Sequence, residues 1–278
     1  MKNKEKLLSL DKISIVYNED VAESYKVACH TQDILKTRGI NSVTNSSKNF
    51  AQDVSAVITI GGDGTILRAA RFYATKNIPI LGINLGRLGF LAQVNTNEIE
   101  QAVDKLIKGK YCIENRMMLS SLDDKVLALN DIVIKGDTFS RTAKLFLSIN
   151  DKVVCDYLAD GIIISTPTGS TAYTLSAGGP VISPDLEAMV IVPICPHTLT
   201  SRPLVIPAYE TVKITSCKTC NKLKLSSDGQ DTIDINAEEF ITIKKSETTA
   251  KLIILEKEDN EFYSILRKKL QWGVAPER

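Results

Sequence analysis

Apolar and polar positions in the first hundred residues recur in the order of a βαβ chain. Lys12 to Tyr17 reads as a strand, and about Glu19 to Arg38 as a helix with Gly39 at its C-terminal cap. Ala56 to Ile60 is a short run dense in β-branched residues and closed by two glycines, which predicts a buried strand. Ile66 to Ala74 has helical character, and Ile78 to Ile83 predicts a further buried strand. Asn95 and Glu98 stand at capping-box spacing for a helix to about Ile107, closed by Gly109. Buried strands alternating with helices predict a parallel, doubly wound α/β domain over residues 1–110.

From Tyr111 the pattern changes. Val126 to Ile134, Phe146 to Val154, Thr211 to Thr215, Leu223 to Leu225, Thr232 to Ile235 and Phe240 to Ile243 are short, and several alternate. Asn150-Asp151 and Asp228-Gly229 are hairpin-like turns, so residues 111–255 predict an antiparallel β domain. Glu261 to Trp272 predicts an amphipathic closing helix, and residues 256–278 are expected to return to the first domain.

A chain of 278 residues has room for two such domains. Its net charge of +1 excludes nucleic-acid binding through a broad basic field. No apolar run has the length to span a bilayer, and the stretch after the N-terminal lysines is too short for a signal peptide. The expected location is the cytoplasm, with no membrane partner. Six cysteines (29, 112, 155, 195, 217 and 220) lack a framework, which favours free buried thiols. Cys217 and Cys220 have half-zinc-site spacing, but no second pair follows and His30 and His197 are the only imidazoles. A chance pair in a hairpin turn is the better reading.

The most informative stretch is Gly61-Gly62-Asp63-Gly64-Thr65, set between a predicted strand and a helix. Three glycines in four positions let backbone approach a ligand closely, and the following helix N-terminus suits phosphate. The spacing is neither that of a P-loop nor of a dinucleotide fingerprint. Asp63 beside a phosphate cradle suits accepting a hydroxyl proton or holding a metal ion, as phosphoryl transfer to an alcohol requires. The bland alternative is a helix N-cap; the flanking glycines and buried strand favour catalysis. Arg68, one turn into the helix, reads equally as a phosphate ligand and as an ordinary surface arginine. The loop from Asn84 to Phe90 ends the next parallel strand, where the ligand crevices of such sheets lie.

A second constellation runs from Asp160 to Tyr173, where a buried strand empties into Ser165-Thr166-Pro167-Thr168-Gly169-Ser170-Thr171-Ala172-Tyr173. Its hydroxyls suit ribose and phosphate oxygens, and Tyr173 suits base stacking. A polar connection that satisfies its own backbone is an equal alternative. Asn130-Asp131, before Ile132-Val133-Ile134, can clamp a ribose diol or an adenine edge, though unaided it reads as the first turn of a strand.

Together these residues resemble the NAD kinase family across nearly the whole chain. The resemblance rests on the glycine loop, Asn130-Asp131, the block from Asp160 to Pro180, and Cys195-Pro196-His197-Thr198-Leu199-Thr200-Ser201-Arg202-Pro203. It implies an α/β domain followed by an all-β, sandwich-like domain, with NAD bound between them and neighbouring subunits completing the site. It implies transfer of the ATP γ-phosphate to the 2′-hydroxyl of the adenosine ribose of NAD. By that analogy Asp63 is the proton acceptor, and Gly61, Gly62, Gly64 and Thr65 form the phosphate loop. Asp63, Gly64, Arg68, Asn130, Asp131, Asp160, Thr171, Ala172, Tyr173, Thr174, Leu175 and Ser176 are the expected NAD contacts. Arg141, Cys195 and Gln230 fall where members also place such contacts. The resemblance further implies a divalent cation, Mg²⁺ carried with ATP and held by no dedicated protein site, a homodimer or homotetramer, and in some members polyphosphate as donor. Many members have Asn-Glu where this chain has Asn130-Asp131, one methylene shorter. The rival readings are a lipid kinase sharing the glycine loop and a non-catalytic nucleotide sensor. The hydroxyl-rich block argues against the first, and the intact Asp63 loop against the second.

Overall fold

The first 84 residues lay down four parallel strands, three of them with interiors mainly of Ile, Val, Leu and Ala. A computed structural model describes residues 8, 10–86, 89–137, 142–217, 222–236, 239–256 and 262–271. Two compact units emerge, one of residues 1–115 and 250–278, the other of residues 116–249. Both boundaries between the units fall inside strands.

In the first unit the order is β1 (Lys12–Tyr17), α1 (Ala22–Thr37), β2 (Asn41–Ser46), β3 (Ala56–Gly61), α2 (Asp63–Tyr73), β4 (Ile80–Asn84), β5 (Val94–Asn95) and α3 (Ile99–Ile107). The parallel order β2-β1-β3-β4 is the doubly wound arrangement read from the pattern. β3 and β4 are buried at every position, as strands covered on both faces must be. Ile58, Ile60, Leu81 and Ile83 share a core with Leu35 of α1 and Val103 and Leu106 of α3. Each such side chain contributes about 1.5–3 kcal/mol of burial free energy. The capping box of Asn95 and Glu98 forms, opening a short 3₁₀ turn that leads into α3.

From β6 (Tyr111–Ser121) the chain enters the second unit through β7 (Val126–Ala128), β8 (Asp131–Gly136), β9 (Ala143–Ile149), β10 (Lys152–Ala159), β11 (Gly161–Ser165), α4 (Tyr173–Ser176), β12 (Ala188–Ile194), β13 (Leu204–Pro207), β14 (Val212–Ser216), β15 (Lys222–Ser227) and β16 (Asp231–Asn236). β17 (Ile241–Leu255) returns to the first unit, where Leu252 pairs with Ile80 of β4, and α5 (Phe262–Leu270) follows. The second unit stacks the sheet β13-β12-β11-β8-β15-β16 on the strands β10-β9-β14-β17-β6-β7, a β-sandwich. Ile132, Ile134, Ile162 and Ile164 point into the sandwich. Val133 and Ile163 point the other way, under Ala177 and Ile182. That second cover explains why β8 and β11 read as unbroken apolar runs.

Both expected hairpin turns are present, with left-handed residues at Asn150-Asp151 and Asp228-Gly229. The apolar run from Val126 to Ile134 forms two strands, because Leu129 and Asn130 leave the ladder. Among the described residues Cys29, Cys112, Cys155, Cys195 and Cys217 form no disulfide and are half-buried or exposed rather than enclosed as expected, and Cys220 lies outside the described residues. No helix of the described residues is long and apolar enough to cross a membrane.

Candidate functional site

β3 ends at Gly61, and α2 begins two residues later with Asp63. Gly61 has a packing reason: a Cβ there would fall 2.2 Å from Thr65 Oγ1, which folds back beneath the loop. Gly62 has none, since a Cβ would meet nothing within 4 Å. Gly62 and Gly64 are exposed, and α2 presents its positive dipole end through them.

Asp63 is not a helix cap. The N-cap is Gly62, with no side-chain cap bond, and Asp63 turns its carboxylate toward the loop after β4. Phe90 N–H donates to Oδ2 at 2.9 Å, and Leu91 and Ala92 N–H donate to Oδ1 at 3.2 and 3.3 Å. Consecutive N–H groups of this kind make a concavity for an anion, and here the chain's own carboxylate fills it. Gly89 is required for that approach, because a Cβ there would lie 1.9 Å from Asp63 Oδ1. The clamp joins the first residue of α2 to the loop beyond β4, two segments that were singled out separately in the sequence. Lys269 of α5 lies over the ring of Phe90, 4.8 Å from its centroid. Arg68 is half-buried, its Nη1 3.3 Å from Ser47 Oγ, so the side chain is held by the loop after β2.

In the second unit, antiparallel register separates the candidates into two groups. Asp131 pairs with Ser165 at one end of β8 and β11, whereas Lys135 pairs with Gly161 at the other. Asn130, Asp131 and Thr166 gather at the first end. Asp160 and Cys195 meet at the second, where Asp160 N–H donates to Ile194 O at 2.9 Å. Cys195 is exposed and left-handed, with φ of 46°. Four residues of strand separate the two ends by roughly 13 Å. The segment carrying Thr171, Ala172, Tyr173, Thr174, Leu175 and Ser176 belongs to this unit as well. Tyr173 is exposed, with Lys135 Nζ 5.0 Å from its ring centroid.

Several of the hydroxyls serve the backbone. Thr166 Oγ1 donates to Leu129 O at 2.6 Å, and Ser165 Oγ donates to Asn130 O at 3.1 Å. Ser170 Oγ donates to Pro167 O and accepts from Ile182 N–H. These groups satisfy the backbone of their own connection. Thr174 is fully buried and its Oγ1 has no partner among the described residues, while Thr171 is half-buried and Ser176 exposed.

One functional group escapes a reading of the sequence. Asp228, in the turn between β15 and β16, accepts N–H bonds from Leu129, Asn130 and Asp131 at 3.1, 2.7 and 3.2 Å. Asp131 is 4 % exposed, and its carboxyl is pushed up to about 7 by burial and then by the charge of Asp228. Gln230 lies two residues beyond Asp228, half-buried, and Arg141 lies outside the described residues. Among the described residues no cluster of three or more His, Cys, Asp or Glu side chains is arranged to hold a metal ion.

The chain is similar to known proteins over most of its length. Residues 1–111 match the model of the ATP-NAD kinase N-terminal domain, and residues 129–255 match that of the ATP-NAD kinase C-terminal domain. An NAD kinase of Moorella thermoacetica is 42% identical over 260 residues, covering 90% of this chain and 83% of that one. One of Heliobacterium modesticaldum is 35% identical over 281 residues, covering 94% and 99%. The crystal structure of an NAD kinase from Archaeoglobus fulgidus in complex with ATP superposes with a TM-score of 0.76 at 27% identity, covering 92% of this chain and 98% of that one. Yeast NADH kinase complexed with NADH shares the fold, with a TM-score of 0.84 at 22% identity, covering 96% and 89%.

Proposed function

Because the chain belongs to the ATP-NAD kinase family, we propose a division of labour for its reaction, the transfer of phosphate from ATP to NAD. The acceptor is the 2′-hydroxyl of the adenosine ribose, and the products are NADP and ADP. The first unit supplies the phosphate loop and the base. Gly61, Gly62, Gly64 and Thr65 let the donor phosphates approach the N-terminus of α2, and Asp63 takes the hydroxyl proton. The observation that carries this reading is the Asp63 carboxylate, fixed through both oxygens beside the exposed glycines of a helix N-terminus.

The second unit recognises the acceptor. Asn130 and Asp131 take the ribose and base edge at one end of β8–β11, and Asp160 and Cys195 serve at the other. A separation of roughly 13 Å suits two nucleosides joined by a pyrophosphate. Thr171 to Ser176 complete the NAD contacts, with Tyr173 stacking on a base; Arg68, Arg141 and Gln230 belong to the same set. The divalent cation arrives with the triphosphate, and no protein ligand is assigned to it. The protein works in the cytoplasm.

The test is direct. Purified protein with NAD, ATP and Mg²⁺ is expected to form NADP, and diacylglycerol offered in place of NAD is expected to remain unphosphorylated. Absence of NADP would sink the reading. Parallel assays with NADH and with polyphosphate define acceptor and donor preference.

The chain is also proposed to act as a homodimer or homotetramer. β10 is an edge strand carrying exposed Val153 and Leu158, the kind of apolar edge that a second copy covers. Val153→Lys is expected to lower the mass measured by light scattering, and an unchanged mass removes this edge from the interface.

A further inference from the structure

We propose that Asp228 is a positioning residue for the acceptor nucleotide, holding the turn from Leu129 to Asp131 so that the Asn130 and Asp131 side chains meet NAD. This rests on the reading of Asn130-Asp131 as an NAD-contacting pair.

Leu129 and Asn130 sit between the end of β7 and the start of β8 at Asp131, so their backbone groups lack ladder partners and must find others. All of them are accounted for. The three N–H groups of Leu129, Asn130 and Asp131 converge on the carboxylate of Asp228. Leu129 O accepts from Thr166 Oγ1 at 2.6 Å, and Asn130 O accepts from Thr166 N–H at 2.8 Å and Ser165 Oγ at 3.1 Å. Asp131 O accepts from Asp228 N–H at 3.0 Å. Gly169 closes the other side, since a Cβ there would fall 2.1 Å from Asn130 O. The backbone is therefore saturated from two sides, by Asp228 and by the Ser165–Gly169 segment.

The side chains stand in contrast. Among the described residues neither Asn130 nor Asp131 uses its side chain in a hydrogen bond, although Asp131 is nearly buried. Polar side chains that the fold leaves unengaged remain available to a ligand. A turn with a fully engaged backbone and unengaged side chains is preorganised to bind through those side chains. Asp228 is 9 % exposed and sits at φ of 49°, the left-handed conformation that its Asp-Gly hairpin turn requires.

The experiment compares Asp228→Ala, Asp228→Asn and Asn130→Ala with the wild-type enzyme, reading KM for NAD, KM for ATP and kcat. Asp228→Ala is expected to raise KM for NAD about tenfold or more with little change in KM for ATP, since the turn loses three charge-assisted bonds. Asp228→Asn retains one acceptor oxygen and is expected to recover part of that loss. Asn130→Ala tests the underlying reading. If it leaves KM for NAD unchanged, the turn is not an NAD contact and the proposal falls with it. A rise in Asn130→Ala without one in Asp228→Ala overturns the proposal alone. So does an Asp228→Ala variant that weakens NAD and ATP equally, the pattern of general unfolding.

Discussion

Asp63→Asn is expected to lower the rate of NADP formation by about 10²–10⁴-fold, the usual worth of a positioned general base. The substitution keeps the shape but replaces one acceptor oxygen with an amide donor. The three N–H groups of Phe90, Leu91 and Ala92 then face a group that can accept at only one of its two ends. Two effects are thus combined, loss of the proposed proton acceptor and loosening of the loop after β4. Gly89→Ala separates them. It keeps the carboxylate but thrusts a methyl group to within 1.9 Å of Asp63 Oδ1, so the clamp opens while the base remains. If Asp63 accepts the proton, Asp63→Asn falls much further than Gly89→Ala. Equal losses in the two variants would make Asp63 a loop clamp alone, and an Asp63→Asn enzyme as fast as wild type would exclude it from the chemistry altogether.

Much of this arrangement was legible in the sequence because it is local. The strand Ala56–Gly61 and the glycines after it are contiguous, and apolar period with turn chemistry suffices to place them. The strand Asn41–Ser46 was not anticipated, because an edge strand of Asn, Ser and Thr has no apolar face to reveal it. Nothing in the hydropathy of Val126 to Ile134 marks the departure of Leu129 and Asn130 from the ladder. That departure is enforced from outside, by Asp228 nearly a hundred residues away. The same limit applies to Asp63, whose partners Phe90 to Ala92 lie in another loop. In both places a carboxylate fills a concavity of three backbone N–H groups, a relation that no spacing along the chain can express. In the hydroxyl-rich block the structure divides side chains by what they touch. Ser165, Thr166 and Ser170 serve the backbone, whereas Tyr173 and Ser176 are exposed.

Asp131 carries the second large effect, on stability against pH. Burial, and after it the charge of Asp228, pushes its carboxyl from 3.8 up to about 7. The folded chain therefore keeps this proton at pH values where the unfolded chain has released it. Wherever the folded state binds more protons, stability falls as pH rises. The loss begins near the unfolded pKa, grows until the folded pKa is passed, and is constant above it. Its ceiling is about 4 kcal/mol. Asp131→Asn, neutral at every pH, is expected to match wild type in acid and to exceed it increasingly from pH 4 to pH 7 in urea denaturation. A stability difference independent of pH would remove Asp131 as the titrating group. The same proton links to the proposed binding role. If a ribose hydroxyl donates to the Asp131 carboxylate, NAD selects the ionised form and its binding releases a proton near pH 6. Calorimetry in two buffers of different ionisation heat then shows a buffer-dependent enthalpy for wild type and a smaller dependence for Asp131→Asn. Identical dependence in the two proteins would mean that NAD does not draw on this carboxyl.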